Sequence, residues 1–164
     1  MAVPPPRDEL AKACRTAQVI GAQLVGCLVI YAFVLNLLQQ TRAPFSGYAP
    51  GLPHDLLRVI CAVLALAGLG LARFLQQSIL ERAAATPVPA LNTAAIVALS
   101  LCEVVAIYGF VLFLLTGRAS DYYLFAALSA IGFALYFPRR EAWDEQAREI
   151  THRASGRATG PPRA

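Results

Sequence analysis

Four apolar blocks, separated by stretches dense in proline, glycine and charge, organise this chain. Residues 17–38 form the first, with Gln23 and Asn36 among its few polar members. Residues 41–53 then bring three prolines and two glycines, the composition of a loop. The second block, 56–74, follows Asp55, a candidate helix cap, and has a wetter extension through Gln76, Gln77 and Glu81 to Arg82. Pro87 and Pro89 are expected to close that helix. The third block runs over 91–115, with Asn92 at its start and Gly117 just past its end. The fourth, 121–137, has Asp121 as its expected cap and Pro138 as its stop. None of the blocks carries the narrow apolar stripe of a helix that is wet on one side. Each is instead apolar nearly all round and long enough, or nearly so, to cross a bilayer. The fourth is the shortest, about 16 residues against the roughly 20 of an untilted crossing. Tyr122, Tyr123, Tyr136 and Phe137 stand at its two ends, where an aromatic belt would meet the headgroups.

The pattern predicts an all-α fold: an integral membrane bundle of four transmembrane helices (residues 17–138). Residues 1–16 form a tail before it and 139–164 a basic tail after it. Within the second tail, 139–153 can form a short helix with Trp143 and Ile150 free for the membrane surface. Residues 1–6 are rich in proline, and 154–164 in glycine, proline and arginine. Both stretches are expected to be disordered.

An internal repeat adds connectivity. At an offset of 77 positions Leu24 falls on Leu101, Ile30 and Tyr31 on Ile107 and Tyr108, and Phe33, Val34 and Leu35 on Phe110, Val111 and Leu112. At an offset of 62, Gly70 falls on Gly132 and Ala72 on Ala134. The expectation is two tandem helical hairpins related by an axis along the membrane normal.

Composition agrees. Of 164 residues, 57% are hydrophobic and 15% charged, with a mean hydropathy of +0.55. Soluble domains carry about 25% charged residues. The net charge of +4 matters less than its distribution. Arg7, Lys12 and Arg15 precede the first block, Arg73 and Arg82 lie in the middle connection, and Arg139, Arg140, Arg148, Arg153, Arg157 and Arg163 follow the last. The two opposite connections hold only Arg42, Arg58 and Arg118. Cytoplasmic loops collect Lys and Arg, so both termini are expected in the cytoplasm. The Ala-, Leu- and Arg-rich composition suggests a bacterial source and hence the cell's inner (plasma) membrane. The basic tail is interleaved with Glu141, Asp144, Glu145 and Glu149, which excludes a nucleic-acid footprint. The N-terminal region does not read as a signal peptide, because the apolar run after Arg15 exceeds a short h-region.

The cysteines, Cys14, Cys27, Cys61 and Cys102, form no CxxC or Cys/His cluster, so neither a disulfide nor a metal site is expected. No phosphate loop, nucleophile elbow, zinc signature or carboxylate pair is present. The chain reads as non-enzymatic and without a cofactor.

What remains is one carboxylate. Glu103 sits mid-way along the third block, where a charged side chain costs roughly 2.5–3.5 kcal/mol on insertion scales. Ser100 shares its helix face at i, i+3, and parallel neighbouring helices would bring Gln23 to a similar depth. Glu103, Ser100 and Gln23 are therefore the candidate proton- or cation-binding set. The bland alternative is that the same groups are polar glue between helices. Gly68, Gly70, Ala72 and Gly109 are the candidate close-packing positions, either inside the bundle or against another copy. The partners expected are the bilayer and either a second copy or a larger membrane complex. His54 and His152, in a loop and a tail, are assigned no role.

The run Ala98-Leu-Ser-Leu-Cys-Glu103-Val-Val-Ala-Ile107-Tyr108-Gly109-Phe-Val-Leu resembles the carboxylate helix of proteolipid subunit c, which builds the rotor ring of F- and V-type ATPases. The resemblance implies that Glu103 carries a proton or sodium ion. It also implies that the second and third segments form the subunit c-like hairpin, with residues 76–89 as its polar connection.

Overall fold

The computed structural model describes residues 7–49, 51–83 and 87–158. They form five α-helices and, among the described residues, no strand: α1 Arg7–Thr41, α2 His54–Arg82, α3 Pro87–Thr116, α4 Ala119–Tyr136 and α5 Arg140–Ala158. The first three are long and apolar enough to cross a membrane. A fourth crossing is available if α4 and α5, bent by 56° at the break around Pro138, are taken as one broken span.

Several helix ends differ from expectation for identifiable reasons. Pro87 and Pro89 do not close α2; they sit in the first turn of α3, where missing N–H groups cost nothing. Asn92 accordingly lies a turn inside α3, and its Oδ1 is buried with no hydrogen-bond partner. Asp55 and Asp121 do not cap: the positions before α2 and α4 are Pro53 and Arg118, without side-chain cap bonds. The helix after Pro138 runs to Ala158, past the expected limit at residue 153. The Pro-rich stretch 1–6 lies outside the described residues.

α3 is the axis of the bundle. It packs along α2, α4 and α1, while α1 makes lesser contacts with α4 and α5. Ala98, Leu99, Cys102, Ala106 and Phe113 on it are fully buried. The three surrounding helices turn large apolar side chains outward. Val63, Leu66 and Phe74 on α2 are 60%, 62% and 64% exposed, and Leu135 on α4 is 75% exposed. An apolar belt of this extent is costly in water and neutral against lipid.

This arrangement corrects the tandem-hairpin expectation. α3 and α4 form a packed pair but α1 and α2 do not, since both lie against α3. Tyr31 and Tyr108, matched by the repeat, sit in different clusters. Tyr31 packs near Leu35 and Phe113, and Tyr108 near Ala65 and Val105. A membrane-normal pseudo-axis would make them equivalent.

Of the expected close-packing positions Gly109 and Ala72 pack within the chain, Gly68 and Gly70 do not, and Gly132 joins them unexpectedly. A Cβ on Gly109 would lie 2.5 Å from the Phe125 Cβ, so α3 and α4 meet there almost backbone to backbone. A Cβ on Gly132 would lie 2.8 Å from the Cys102 sulfur. Gly68 and Gly70 face open space, whereas Ala72 is fully buried. The Gly68–Gly70 stretch is therefore not a packing seam within this chain.

The first loop plugs the end of α3. Tyr48 and Ala49 donate their N–H groups to the carbonyls of Leu114 and Leu115 at 2.9 and 3.0 Å, satisfying groups the helix end leaves free. Gly47 and Gly117 meet there with φ of 82° and 77°, a conformation that other residues adopt only with strain.

At the opposite end α5 folds back. Trp143 and Ile150 are 5% and 6% exposed, so they are not free for a membrane surface. Trp143 and Ala147 pack with Leu10, Cys14 and Ala17 of α1 and Leu91 and Ala95 of α3. Gln18 donates to the Pro138 carbonyl at 3.0 Å and pins the α4–α5 break to α1. The start of α1, the α2–α3 connection and α5 consequently share one end of the bundle.

Candidate functional site

Glu103 projects from α3 toward α1. Its Oε1 accepts a hydrogen bond from the Tyr31 hydroxyl at 3.2 Å, and the Cys27 thiol is within hydrogen-bonding reach of the same carboxyl. Cys27 and Tyr31 are four positions apart on α1, so one helical face presents both groups. The Tyr31 ring is itself fixed by stacking on Phe110, with centroids 5.2 Å apart. Glu103 is half-buried. It borders the outward stripe of α3 that runs from exposed Ser100 to exposed Val111.

The expected companions do not converge on it. Gln23 and Ser100 are exposed, and neither bonds to Glu103. Tyr31 is the α1 residue level with Glu103, and Gln23 lies about two turns away along the helix, so the equal-depth argument for Gln23 fails. Asn36 donates to the carbonyl of Ala32 on its own helix at 2.8 Å and needs no partner elsewhere. The Tyr108 hydroxyl has no partner among the described residues.

Hydroxyls tie α4 to the bundle as well. Tyr122 donates to the carbonyl of Leu28 on α1, and Ser129 to that of Cys102 on α3 at 2.7 Å. Each satisfies a polar group in a setting without water.

A second polar cluster, absent from the sequence reading, lies at the end of the bundle away from α5. Asp121 is 1% exposed. His54 Nε2 stands 2.6 Å from its Oδ2, and Arg58 Nε 3.5 Å from its Oδ1. His54 therefore belongs to a helix junction between α2 and α4, not to a solvated loop. Its other nitrogen, Nδ1, lies 3.1 Å from Arg118 Nη1 and 3.2 Å from Asp55 Oδ1. These two contacts are mutually exclusive in chemistry. A neutral ring that donates through Nε2 can only accept at Nδ1, which suits Arg118. A protonated ring donates at both nitrogens, which suits Asp55. The signal in the sequence was an aspartate opening an apolar helix and a histidine opening another, 67 positions apart, with nothing local to pair them.

Among the described residues no three His, Cys, Asp or Glu side chains gather as a metal site. Scans against protein-family models and searches of curated proteins and of solved structures return no match. The functional reading therefore rests on the residues themselves.

Proposed function

We propose that this is an integral membrane protein crossing the plasma (inner) membrane four times with both termini in the cytoplasm, and that Glu103 is a proton-binding carboxyl at mid-depth. The observation that carries the reading is the setting of Glu103. It is a half-buried carboxyl inside an apolar belt, supplied with a hydroxyl donor by Tyr31 and with no cationic partner among the described residues. A charged side chain at that depth is costly, so the site needs a compensating group. A proton suits the site better than a metal cation, because hard cations take several oxygen ligands and Tyr31 is the one oxygen partner on Glu103. The open Gly68–Gly70 face of α2 would suit an oligomer or a larger assembly.

The second reading is an accessory or structural subunit in which Glu103 is polar glue. The same Tyr31–Glu103 bond favours it, since it joins α1 to the central helix.

Labelling with a hydrophobic carbodiimide in native membranes, mapped by mass spectrometry across pH and with added sodium, separates the two. Modification confined to Glu103 and lost as pH rises supports the proton site. Protection by sodium would replace the proton with a cation. Absence of labelling at every pH means a sealed carboxyl and leaves the structural reading.

A further inference from the structure

His54, Asp55, Arg58 and Asp121 form ion pairs at the end away from α5. At the α5 end a cavity of about 240 Å³ opens where α2, α3, α4 and α5 meet. Its polar lining is Arg73 and Gln76 from α2, Tyr136 from α4, Arg139 from the α4–α5 break and Gln146 from α5. None of these five side chains makes a hydrogen bond or ion pair with another described residue. No acidic side chain lines the cavity among the described residues. Two arginines 66 positions apart are thus brought to one concavity with no counter-charge.

The depth is equally specific. Arg73 stands where the apolar run of α2 gives way to Gln76 and Gln77, and Arg139 lies in the break between α4 and α5, just past Pro138. The cavity wall on the outer side is Leu135 and Phe137, and Phe74 beside Arg73 is exposed in the same belt. Guanidinium groups recognise phosphate oxygens in a fork, glutamine amides and a tyrosine hydroxyl add neutral donors, and the apolar rim offers a track for acyl chains.

We propose that this cavity seats the phosphate of an anionic phospholipid headgroup, its chains lying along the exposed apolar edges of α2 and α4. Basic pockets between transmembrane helices at the cytoplasmic surface bind anionic headgroups by this chemistry. The site is separate from Glu103 and depends only on the protein being embedded in a bilayer. A free phosphate would use the same arginines but would gain nothing from the apolar wall.

The test is native mass spectrometry of the full chain released from micelles doped with equal phosphatidylglycerol and phosphatidylcholine, repeated with inorganic phosphate as competitor. The wild-type protein should retain phosphatidylglycerol preferentially. Arg73→Gln and Arg139→Gln should each lower that retention about fivefold, while Arg15→Gln, at the same end but outside the cavity, leaves it unchanged. Equal retention of the two lipids by the wild-type protein overturns the proposal without any variant, so a variant that fails to fold does not shield it. Displacement of the lipid by millimolar inorganic phosphate overturns it in favour of a free-anion site. A similar loss in all three variants reduces it to general surface charge and overturns it too.

Discussion

At the scale of single residues, the polar groups inside the bundle divide into those that could be read from position and those that could not. A carboxylate in the middle of an apolar run is conspicuous whatever its surroundings, so Glu103 was legible. Its partner was not, because Tyr31 meets it only through the rotation of α1 against α3. Tyr31→Phe removes the one recorded hydroxyl donor to Glu103 and is expected to lower stability in detergent by about 0.6–2 kcal/mol. Glu103→Gln keeps an acceptor for that hydroxyl and should cost less than Glu103→Leu, which strands it. Thermal unfolding of the three variants ranks them, and an equal cost for Gln and Leu would argue against the bond. For the other cluster, Asp121→Ala leaves His54 and Arg58 without their buried acceptor. The expected loss is about 1–3 kcal/mol, toward the lower part for Arg58 because it is half-exposed. Unfolding of Asp121→Ala beside His54→Ala and the double variant would give the coupling, and additive losses would show that the 2.6 Å contact carries little energy.

At the scale of elements, glycine composition alone could not say which helices touch. Gly68 and Gly109 both sit in apolar helices, yet one faces open space and the other the Phe125 side chain. Gly109→Ala forces α3 and α4 apart and should cost about 1–3 kcal/mol. Gly68→Ala meets nothing in the chain and should be neutral or stabilising by up to about 1 kcal/mol through helix propensity. A loss of oligomer, with monomer stability kept, would assign Gly68 to a contact between copies. The amphipathic α5 illustrates the same limit. Its Trp143 and Ile150 were legible as apolar anchors, but membrane surface and protein neighbour attract such residues alike. Packing against Leu10, Cys14 and Leu91 decides for the protein. Trp143→Ala should therefore release α5, visible as faster proteolysis within residues 140–158.

The same docking governs Cys14. Burial pushes its thiol above the ordinary range, Arg140 opposes the shift and Asp144 adds to it. A thiol whose folded pKa is raised favours folding below its unfolded value, and that contribution is lost as pH rises through the folded one. Alkylation of Cys14 at pH 8 should be slow in the wild-type protein and fast in Trp143→Ala. Equal rates would mean that α5 does not shield it.

At the scale of the whole molecule, the inverted polarity has a topological consequence. The start of α1, the α2–α3 connection and α5 share one end, which carries most of the arginines. With the native cysteines replaced, Glu145→Cys should react with a membrane-impermeant maleimide only after cells are opened, and Ser46→Cys in intact cells. The reverse pattern would invert the topology and move the arginine cavity to the outer leaflet. The sequence by itself determined that the chain is helical and apolar enough for a membrane, roughly where each long helix lies, and that Glu103 is costly where it stands. Those properties follow from composition and local periodicity, which act within one turn or one span. Tertiary structure decided the rest: α3 at the centre, α1 and α2 on separate flanks despite the repeat, Tyr31 on Glu103, His54 on Asp121, and two arginines around one cavity. Each depends on which helix faces meet. In an apolar helix without a stripe, that choice falls to backbone approach and hydroxyl pairing between positions 27 to 94 residues apart.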